Sequence, residues 1–243
     1  MQVILSKNHA ATFNLALEEY LFLESQVDIL LFYINQPTVI IGYNQAVENE
    51  VNIEFCKSNG ISIIRRKSGG GAVYHDYGNL NFSFISNRLA TKNVLGKDFL
   101  IPIVSVLKQL GVTAEVGQRK DLWLLHAHKI SGTASQITKN RELHHGTLLY
   151  DANLEWLSSA LQVTQKNSTV KATQSVSSPV VNIKDYLLLN NETALPAEVF
   201  FEKFVQLAAS LFHSVVKTYS QHDISNIQMY EKKYLENCWN LRK

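Results

Sequence analysis

The amino-acid sequence predicts an α+β domain in which a mixed, largely antiparallel central sheet is flanked by helices. Three observations support this fold class. Apolar residues in the first half of the chain recur with helical spacing and with strand spacing in turn. Between residues 112 and 150, four strand-like segments follow one another so closely that only tight turns can join them, which indicates antiparallel pairing. Amphipathic helical segments in the last third supply apolar faces that can cover the sheet.

The first half begins with a helix and continues with strands on either side of a second helix. Thr12 is a residue type that caps helices, and the apolar residues Phe13, Leu17 and Leu21 follow it at intervals of one helical turn. The elements expected next are strands over 27–33 and 38–41, a helix over 48–58 that ends at Asn59-Gly60, and strands over 61–65 and 80–84. In the last of these, apolar and polar residues alternate, which predicts one buried face.

The second half contains a further series of strands between helices. The expected elements are a helix over 99–110, strands over 112–116, 121–125, 129–137 and 142–150, a helix with the apolar face Phe200, Phe204, Leu207, Leu211 and Val215, and a more polar helical segment over 224–239. No repeat, low-complexity tract or Pro/Gly/Ser-rich linker divides the chain. Residues 1–243 are therefore expected to form one domain.

The composition excludes several classes of protein. Lys and Arg number 23 against 21 Asp and Glu, so the chain lacks the strong positive charge typical of nucleic-acid binding. No segment has the roughly 18 consecutive apolar residues that a membrane span needs, and no leader peptide is recognisable, so a cytoplasmic protein with no membrane partner is expected. Cys56 and Cys238 lie far apart without zinc-site spacing, which fits a reducing compartment and predicts no disulfide.

The most unusual segment runs from Arg65 to Asn81 and contains three consecutive glycines after three basic residues. Backbone amides around Gly69, Gly70 and Gly71 can point together at an anion, because glycine lets the chain approach a ligand closely. The segment is neither a Walker loop nor a dinucleotide-binding fingerprint, since no Gly-Lys-Ser/Thr follows and the next element is a strand. A flexible hairpin with a solvated basic edge would explain a bare glycine triplet, but the flanking Arg65-Arg66 and His75-Asp76 favour a binding site.

A second polar segment surrounds Lys129. This lysine begins a strand of small residues, in which Gly132 and Ala134 leave room for a ligand. Four histidines, His126, His128, His144 and His145, lie nearby in the sequence. Zinc needs three or four converging ligands, and neighbouring residues of a strand point to opposite faces, so His144 and His145 are not expected to share an ion. No metal site is predicted.

Four motifs in this order resemble those of the lipoate-protein ligase A family. They are Arg65–Asp76 (RRKSGGGAVYHD), Gly78–Asn81, Lys129–Gly132 and His144–Leu149, and the similarity extends over most of residues 1 to 240. The resemblance implies the biotin/lipoate ligase catalytic fold, which is class II synthetase-like and agrees with the fold class above. It also implies an ATP-dependent ligase that forms lipoyl-AMP from lipoate and ATP with Mg²⁺. The lipoyl group then passes to a lysine of a lipoyl domain, as in the E2 subunits of 2-oxoacid dehydrogenases, or of the glycine-cleavage H protein.

The resemblance also implies roles for individual residues. Lys129 is the expected catalytic residue, because its charge would stabilise the oxyanion that develops at the acyl carbonyl or the α-phosphate. Binding of ATP and lipoyl-AMP is expected from Arg66, Gly71, Ala72, Val73, Tyr74 and Lys129. Supporting positions are Ser68, Gly70, His75, Asn79, Asp121 and His145, with Asp76 in the same motif. The apolar arm of lipoate needs a dry slot, for which Ile64 and Ala134 are candidates.

The chain departs from the family pattern at three points. Full-length bacterial members carry a small C-terminal domain, which is not found within residues 1–243, so a separate accessory-domain subunit is a candidate partner. Arg119-Lys120 precedes Asp121 where the ligases usually show Asn, and Ser175-Val-Ser-Ser replaces their usual Ser-Val-Arg-Ser. The last two departures are similar to lipoyltransferases that use preformed lipoyl-AMP, and this function is the main alternative.

Two other functions stay open at this point. Octanoyl and lipoyl transferases use a cysteine nucleophile, but Cys56 belongs to a predicted amphipathic helix and Cys238 to the end of the chain, where an incidental thiol is the simpler interpretation. A non-catalytic protein that binds lipoate or an adenylate is the other alternative. The combination of Lys129 with the glycine segment argues against it, since binding alone needs no charge at the reacting carbon.

Overall fold

The computed structural model describes residues 1–88, 98–124, 128–163 and 172–242. In chain order its elements are β1 (Gln2–Leu5), α1 (Ala11–Glu24), β2 (Ile29–Tyr33), β3 (Thr38–Ile41), α2 (Val47–Glu50), α3 (Ile53–Ser58), β4 (Ser62–Arg65), β5 (Val73–His75), β6 (Asn79–Asn87), α4 (Ile101–Gln109), β7 (Ala114–Val116), β8 (Leu122–Leu124), β9 (His128–Ser131), β10 (Thr133–Ile137), β11 (Arg141–Leu149), α5 (Leu154–Leu161), α6 (Ile183–Leu189), α7 (Ala197–Leu211), β12 (Val216–Lys217), α8 (Gln221–Leu235) and α9 (Asn237–Asn240). A 3₁₀ turn over Asp98–Leu100 precedes α4.

The described strands form one central sheet and two smaller ones. The central sheet has six strands in the order β10-β11-β6-β2-β1-β12. Its β10-β11, β11-β6 and β6-β2 pairs are antiparallel, whereas β1 is parallel to both β2 and β12. The smaller sheets have the orders β4-β3-β5 and β7-β8-β9. The prediction of a mixed, largely antiparallel central sheet flanked by helices is confirmed.

Helices cover both faces of the central sheet. On one face, apolar residues of α4, α6 and α7 pack against alternate residues of β6, among them Leu80, Phe82 and Phe84. On the other face, α1 and α8 pack against residues such as Leu31 and Ile85. Burial of these apolar side chains on both faces is the main stabilising contribution to such a layered arrangement.

Strand β6 is buried on both faces, which corrects the expectation of one buried face. Asn81 and Ser83 are as inaccessible as the apolar residues beside them. They are tolerated because their polar groups are hydrogen-bonded: Ser83 Oγ donates to Glu18 at 2.5 Å, and Asn81 Nδ2 donates to the Tyr33 carbonyl at 3.2 Å.

Several element boundaries also differ from the sequence expectations. Helix α1 is capped by Ala10 without a side-chain bond, and Thr12 lies in its first turn, where its hydroxyl donates to Glu231 at 2.7 Å. The expected helix over 48–58 is two short helices, and the side chain of Asn52 caps the second one by accepting from the Phe55 amide at 3.1 Å. Val215 lies beyond α7 and is exposed.

The expected strand over 129–137 is divided at Gly132 between two sheets. Its first part, β9, pairs with β8, and its second part, β10, pairs with β11 of the central sheet. Helices α5 and α6 have no counterpart among the predicted elements. No helix of the described residues is long and apolar enough to span a bilayer. The assignment of residues 1–243 to one domain stays a prediction.

Candidate functional site

A cavity of about 300 Å³ lies where the three sheets meet. The central sheet contributes Tyr33, Asn81, Ala134, His145 and Thr147, and the β4-β3-β5 sheet contributes Ile40, Val73 and His75. Residues 69–72, which join β4 to β5 after Arg66, are named the glycine loop. The wall is completed by residues 70–72 of this loop, by Lys129 of β9, by Arg119 and Asp121, and by residues 173–176. The two polar segments singled out in the sequence therefore line one cavity, although they belong to different sheets.

Arg66 binds carbonyl groups of the glycine loop and thereby fixes the position of the loop. Its buried guanidinium donates to the carbonyls of Gly69 and Gly71 at 2.6 and 2.8 Å, to the Ile40 carbonyl at 3.1 Å and to Ser68 Oγ at 2.9 Å. Burial lowers the pKa of Arg66 to about 10, so the side chain is still cationic at neutral pH. Because the loop carbonyls are bound by Arg66, the loop is held in one conformation.

The glycine loop needs glycine at its central position and leaves amides free. Gly70 has a φ of +88°, and a Cβ there would lie 3.0 Å from Arg66 Nη2. Within the described ranges the amides of Gly70 and Gly71 donate to no protein group, while the Ala72 amide donates to Ser175 Oγ at 2.9 Å. Free amides beside a cavity form an anion-binding concavity.

Lys129 is fixed at the cavity by its backbone and by Asp121. Its amide donates to the Pro179 carbonyl at 2.9 Å and its carbonyl accepts from the Val181 amide at 3.2 Å, so a segment remote in sequence sets the position of β9. Its Nζ lies 3.2 Å from Asp121 Oδ2. Burial raises the pKa of the Asp121 carboxyl, but its contacts with Trp123 and Lys129 outweigh burial and hold the pKa below its ordinary value. The result is an oriented ammonium at the wall of the cavity.

A buried chain of hydrogen bonds connects helix α1 to the glycine loop. Glu18 lies 2.9 Å from His145 Nδ1, His145 Nε2 lies 2.7 Å from Ser68 Oγ, and Ser68 Oγ accepts from Arg66 Nε. Arginine can only donate, so the Ser68 hydroxyl is free to donate to His145 Nε2. A carboxylate can only accept, so His145 Nδ1 carries the proton. The two ends of the chain thus favour the Nδ1–H tautomer of His145.

His75 is a neutral histidine with one free donor. Burial lowers the pKa of His75 to about 3, and the nearby charge of Arg66 acts in the same direction. Asn35 Nδ2 donates to His75 Nδ1 at 3.0 Å, which leaves the proton on Nε2. Nε2 has no acceptor within the described part of the chain. His75 therefore contributes to the cavity wall an imidazole that carries no charge at neutral pH.

The structure brings most of the predicted site residues to the cavity but not all of them. Those that line it are Arg66, Gly70, Gly71, Ala72, Val73, His75, Asp121, Lys129 and His145. The side chain of Tyr74 instead packs in the apolar cluster that contains Cys56, on the other face of β5 from Val73. Ser68 lies behind Arg66, and Asn79 is buried in β6, where its Nδ2 donates to Asn81 Oδ1 at 3.0 Å. Two residues were candidates for the apolar slot that holds a ligand. Ala134 lines the cavity, whereas Ile64 is buried in the core.

Several cavity residues were not predicted as site residues from the sequence. Leu15 and Ile40 supply apolar wall, and Arg119 supplies a third cation beside Arg66 and Lys129. Ser175 binds two parts of the wall together, because its Oγ also accepts from Gln45 Nε2 at 3.1 Å. Glu18, which does not line the cavity but contacts His145, was also not predicted from the sequence. The acidic pair Glu18-Glu19 inside an otherwise apolar helix was a signal that could have found it.

The histidines near Lys129 are separated by the pleat of β11. His145 faces the cavity, whereas His144 stacks on Phe99 with ring centroids 4.5 Å apart and lies 2.8 Å from Ser135 Oγ. His126 lies outside the described residues. In the described ranges, no three His, Cys, Asp or Glu side chains converge as a metal site would require.

Comparison with known proteins identifies similar sequences and folds. A sequence model described as "Lipoyl protein ligase A/B catalytic domain" matches residues 10–207. Lipoate-protein ligase LplJ of Bacillus subtilis (strain 168) is 39% identical over 228 residues, which are 93% of this chain and 64% of that protein. This chain therefore spans less than two thirds of the length of that relative.

Three solved structures share the fold closely. A bi-partite lipoate protein ligase with its E2 lipoyl domain, from Thermoplasma acidophilum, has a TM-score of 0.82 at 28% identity, covering 99% of this chain and 95% of that chain. A putative lipoate protein ligase from T. acidophilum with bound lipoic acid has a TM-score of 0.80 at 26% identity, covering 99% and 98%. A lipoate-protein ligase A bound with ATP has a TM-score of 0.80 at 28% identity, with the same coverage.

Proposed function

Since this chain belongs to the lipoyl protein ligase A/B catalytic-domain family, we propose that it activates lipoate with ATP and transfers the lipoyl group to a lysine of a partner protein. The observation that carries this proposal is the shared cavity. It combines an oriented ammonium, Lys129, with the free amides of Gly70 and Gly71 and with apolar walls. A carboxylate with an apolar arm and a polyphosphate are the two ligands that such a combination fits.

The apolar part of the cavity is suited to the arm of lipoate. Four apolar side chains line it: Leu15 of helix α1, Ile40 and Val73 of the β4-β3-β5 sheet, and Ala134 of the central sheet. Burying the arm there removes apolar surface from water, at about 25 cal/mol per Å². Bound lipoic acid in the Thermoplasma relative supports this assignment.

The phosphates of ATP are assigned to the part of the cavity beside the glycine loop. There the free amides of the glycine loop lie on one side, and Lys129 and Arg119 contribute positive charge. Arg66 has a structural part in this proposal, because four of its donor contacts already go to Ser68, Ile40, Gly69 and Gly71. We propose that Mg²⁺ enters with ATP as its substrate complex. The ATP-bound relative supports the nucleotide.

Two steps follow from this placement. In the first, a carboxylate oxygen of lipoate attacks the α-phosphorus of ATP, so a C–O–P anhydride forms and pyrophosphate leaves. In the second, the amine of the acceptor lysine attacks the acyl carbon, an amide forms, AMP leaves and the amine loses a proton. Both transition states place extra negative charge on oxygen, and the Lys129 ammonium, oriented by Asp121, would stabilise it.

The acceptor is proposed to be a lipoyl domain of a 2-oxoacid dehydrogenase E2 subunit or the glycine-cleavage H protein, in the cytoplasm. The bi-partite Thermoplasma neighbour, which belongs to a lipoylation system with an E2 lipoyl domain, supports the first of these. That neighbour is also bi-partite, and this chain spans 64% of the length of the Bacillus relative. We therefore propose that an accessory domain takes part in activation.

A lipoyltransferase that uses preformed lipoyl-AMP is the second candidate. Lys120, directly before Asp121, stands where the ligases usually show Asn. Its neighbour Arg119 lines the cavity, where Arg119 Nη2 donates to Ser178 Oγ at 3.2 Å. This departure therefore lies beside the site, between two residues that line the cavity. A cysteine nucleophile is not supported, because neither cysteine lines the cavity and burial raises the pKa of Cys56 to about 11.

An acceptor assay separates these functions. The purified protein is incubated with an apo lipoyl domain and either lipoate, ATP and Mg²⁺ or synthetic lipoyl-AMP, and acceptor mass is measured. A mass shift with ATP establishes the ligase, and a shift only with lipoyl-AMP establishes the transferase. If neither condition modifies the acceptor, with or without an added accessory domain, the enzymatic proposal is wrong.

A further inference from the structure

Arg65, the neighbour of Arg66, is a buried cation that faces away from the cavity. Its guanidinium donates to three carbonyls of the turn over residues 42–45 at 2.7 to 3.1 Å. It also donates to the carbonyls of Trp239 and Arg242, at 3.3 and 2.8 Å. The side chain is 1% exposed, and leaving such donors unpaired would be costly. Arg65 therefore joins the 42–45 turn to residues near the end of the chain.

Residues 239–242, which we name the C-terminal clasp, are held at this place by further contacts. The Trp239 indole N–H donates to the Arg65 carbonyl at 2.9 Å, and Asn240 Oδ1 accepts from the Arg65 amide at 3.0 Å. The Arg242 guanidinium lies 3.9 Å from the ring centre of Tyr43 and 4.3 Å from that of Trp239, and it donates to the Tyr43 carbonyl at 3.0 Å. Such cation–π contacts stabilise a half-exposed arginine in one position.

The 42–45 turn also contacts the glycine loop and the residue before it. The Tyr43 amide donates to the Ser68 carbonyl at 2.9 Å. Gly42 approaches the loop so closely that a Cβ there would lie 2.1 Å from the Gly70 carbonyl oxygen. Any displacement of the turn must therefore move the loop whose amides face the cavity.

The same turn also holds the segment over residues 173–175. Its Asn44 carbonyl accepts from the Thr173 amide at 3.0 Å, and Gln45 Nε2 donates to Ser175 Oγ at 3.1 Å. Ser175 is the residue that accepts from the Ala72 amide. The turn thus supports both segments of the wall on the side to which the phosphates are assigned.

We propose that the C-terminal clasp positions the phosphate-facing wall of the cavity, acting through Arg65 and the 42–45 turn. The clasp residues are positioning residues, because none of them lines the cavity. They also lie beyond residues 10–207, to which the family match is confined. The inference rests on the proposed function only for the identity of the anion, ATP. Packed and hydrogen-bonded contacts of this kind carry coupling between distant positions.

Arg242→Ala tests the clasp without removing the buried Arg65. Arg242→Lys keeps a cation near the Tyr43 and Trp239 rings and is the conservative variant. Arg88→Ala is the matched control, because the Arg88 guanidinium also donates to one backbone carbonyl, that of Thr138 at 3.3 Å, and does not line the cavity. Hydrogen exchange of the bonded amides, the Kd for MgATP and the Kd for lipoate are measured for each protein.

In Arg242→Ala we expect exchange of the Tyr43, Ala72 and Thr173 amides to accelerate by about threefold or more, with a similar rise in the Kd for MgATP. Exchange in β11 and the Kd for lipoate should stay near their original values. Arg242→Lys should keep the exchange rates and the Kd for MgATP close to those of the unmodified protein. Unchanged exchange at the three amides, or equal acceleration throughout with both ligands weakened alike, would overturn the proposal. If the unmodified protein binds no MgATP, the proposed function fails, whereas the exchange comparison still decides the role of the clasp.

Discussion

Glu18 provides the strongest test of the buried hydrogen-bond chain behind the glycine loop. Its carboxylate accepts from Ser83 Oγ at 2.5 Å and from His145 Nδ1 at 2.9 Å, and all three residues are buried. In Glu18→Ala both donors lose their acceptor, and each unsatisfied buried donor costs about 1–3 kcal/mol. We therefore expect the free energy of unfolding to fall by about 4 kcal/mol. Glu18→Gln should cost only about 1–2 kcal/mol, because its amide oxygen accepts from His145 and its NH₂ donates to Ser83.

Urea denaturation at pH 7 measures these changes, and nitrogen chemical shifts of the His145 imidazole report its tautomer. The control is Glu24→Gln, which changes an exposed carboxylate of the same helix that accepts from Tyr230. It should change stability by no more than about 0.5 kcal/mol. Equal destabilisation by Glu18→Ala and Glu18→Gln, or a His145 proton on Nε2 in the unmodified protein, would refute the reasoning.

Three further predictions concern the cavity. Lys129→Ala should keep the fold but lower acyl transfer by about 100-fold or more, since it removes the charge assigned to the transition states; unchanged turnover with a purified acceptor would contradict that role. Gly70→Ala should weaken MgATP binding, because the new Cβ meets Arg66 Nη2 at 3.0 Å, whereas Gly60→Ala, at a similar positive φ with open space around it, should cost only the backbone strain of about 1–2 kcal/mol. If both glycine variants bind MgATP equally well, the loop is not the phosphate site. His75 has its pKa lowered from 6.5 to about 3 on folding, so its stabilisation is complete above pH 6.5 and is lost progressively as the pH falls toward 3, with a slope approaching about 1.4 kcal/mol per pH unit. His75→Asn should flatten the stability curve between pH 6 and pH 4, and a curve parallel to that of the unmodified protein would show that His75 titrates normally.

Arg65, which ends β4, and Arg66, which follows it, show how far a motif can be interpreted without coordinates. Both were expected to add charge to the glycine segment, and Arg66 was expected to bind ATP. In the structure, Arg65 points to the C-terminal clasp and Arg66 to the loop carbonyls. Alternation along a strand sends neighbouring side chains to opposite faces, and which face is which depends on the sheet that the strand joins. The same alternation separates Val73, at the cavity, from Tyr74, in the core.

The sequence alone determined the fold class and the location of the polar segments, because hydrophobic periodicity and glycine content are properties of neighbouring residues. The resemblance to the family also singled out Lys129, which lines the cavity, and its catalytic role stays a prediction. Only the tertiary structure decided which residues meet. Glu18 reaches His145, Ser175 reaches Ala72, and Arg65 reaches Arg242 through contacts that depend on strand register and on the packing of separate sheets. Those contacts form between segments far apart in sequence, where local periodicity carries no information about the partner.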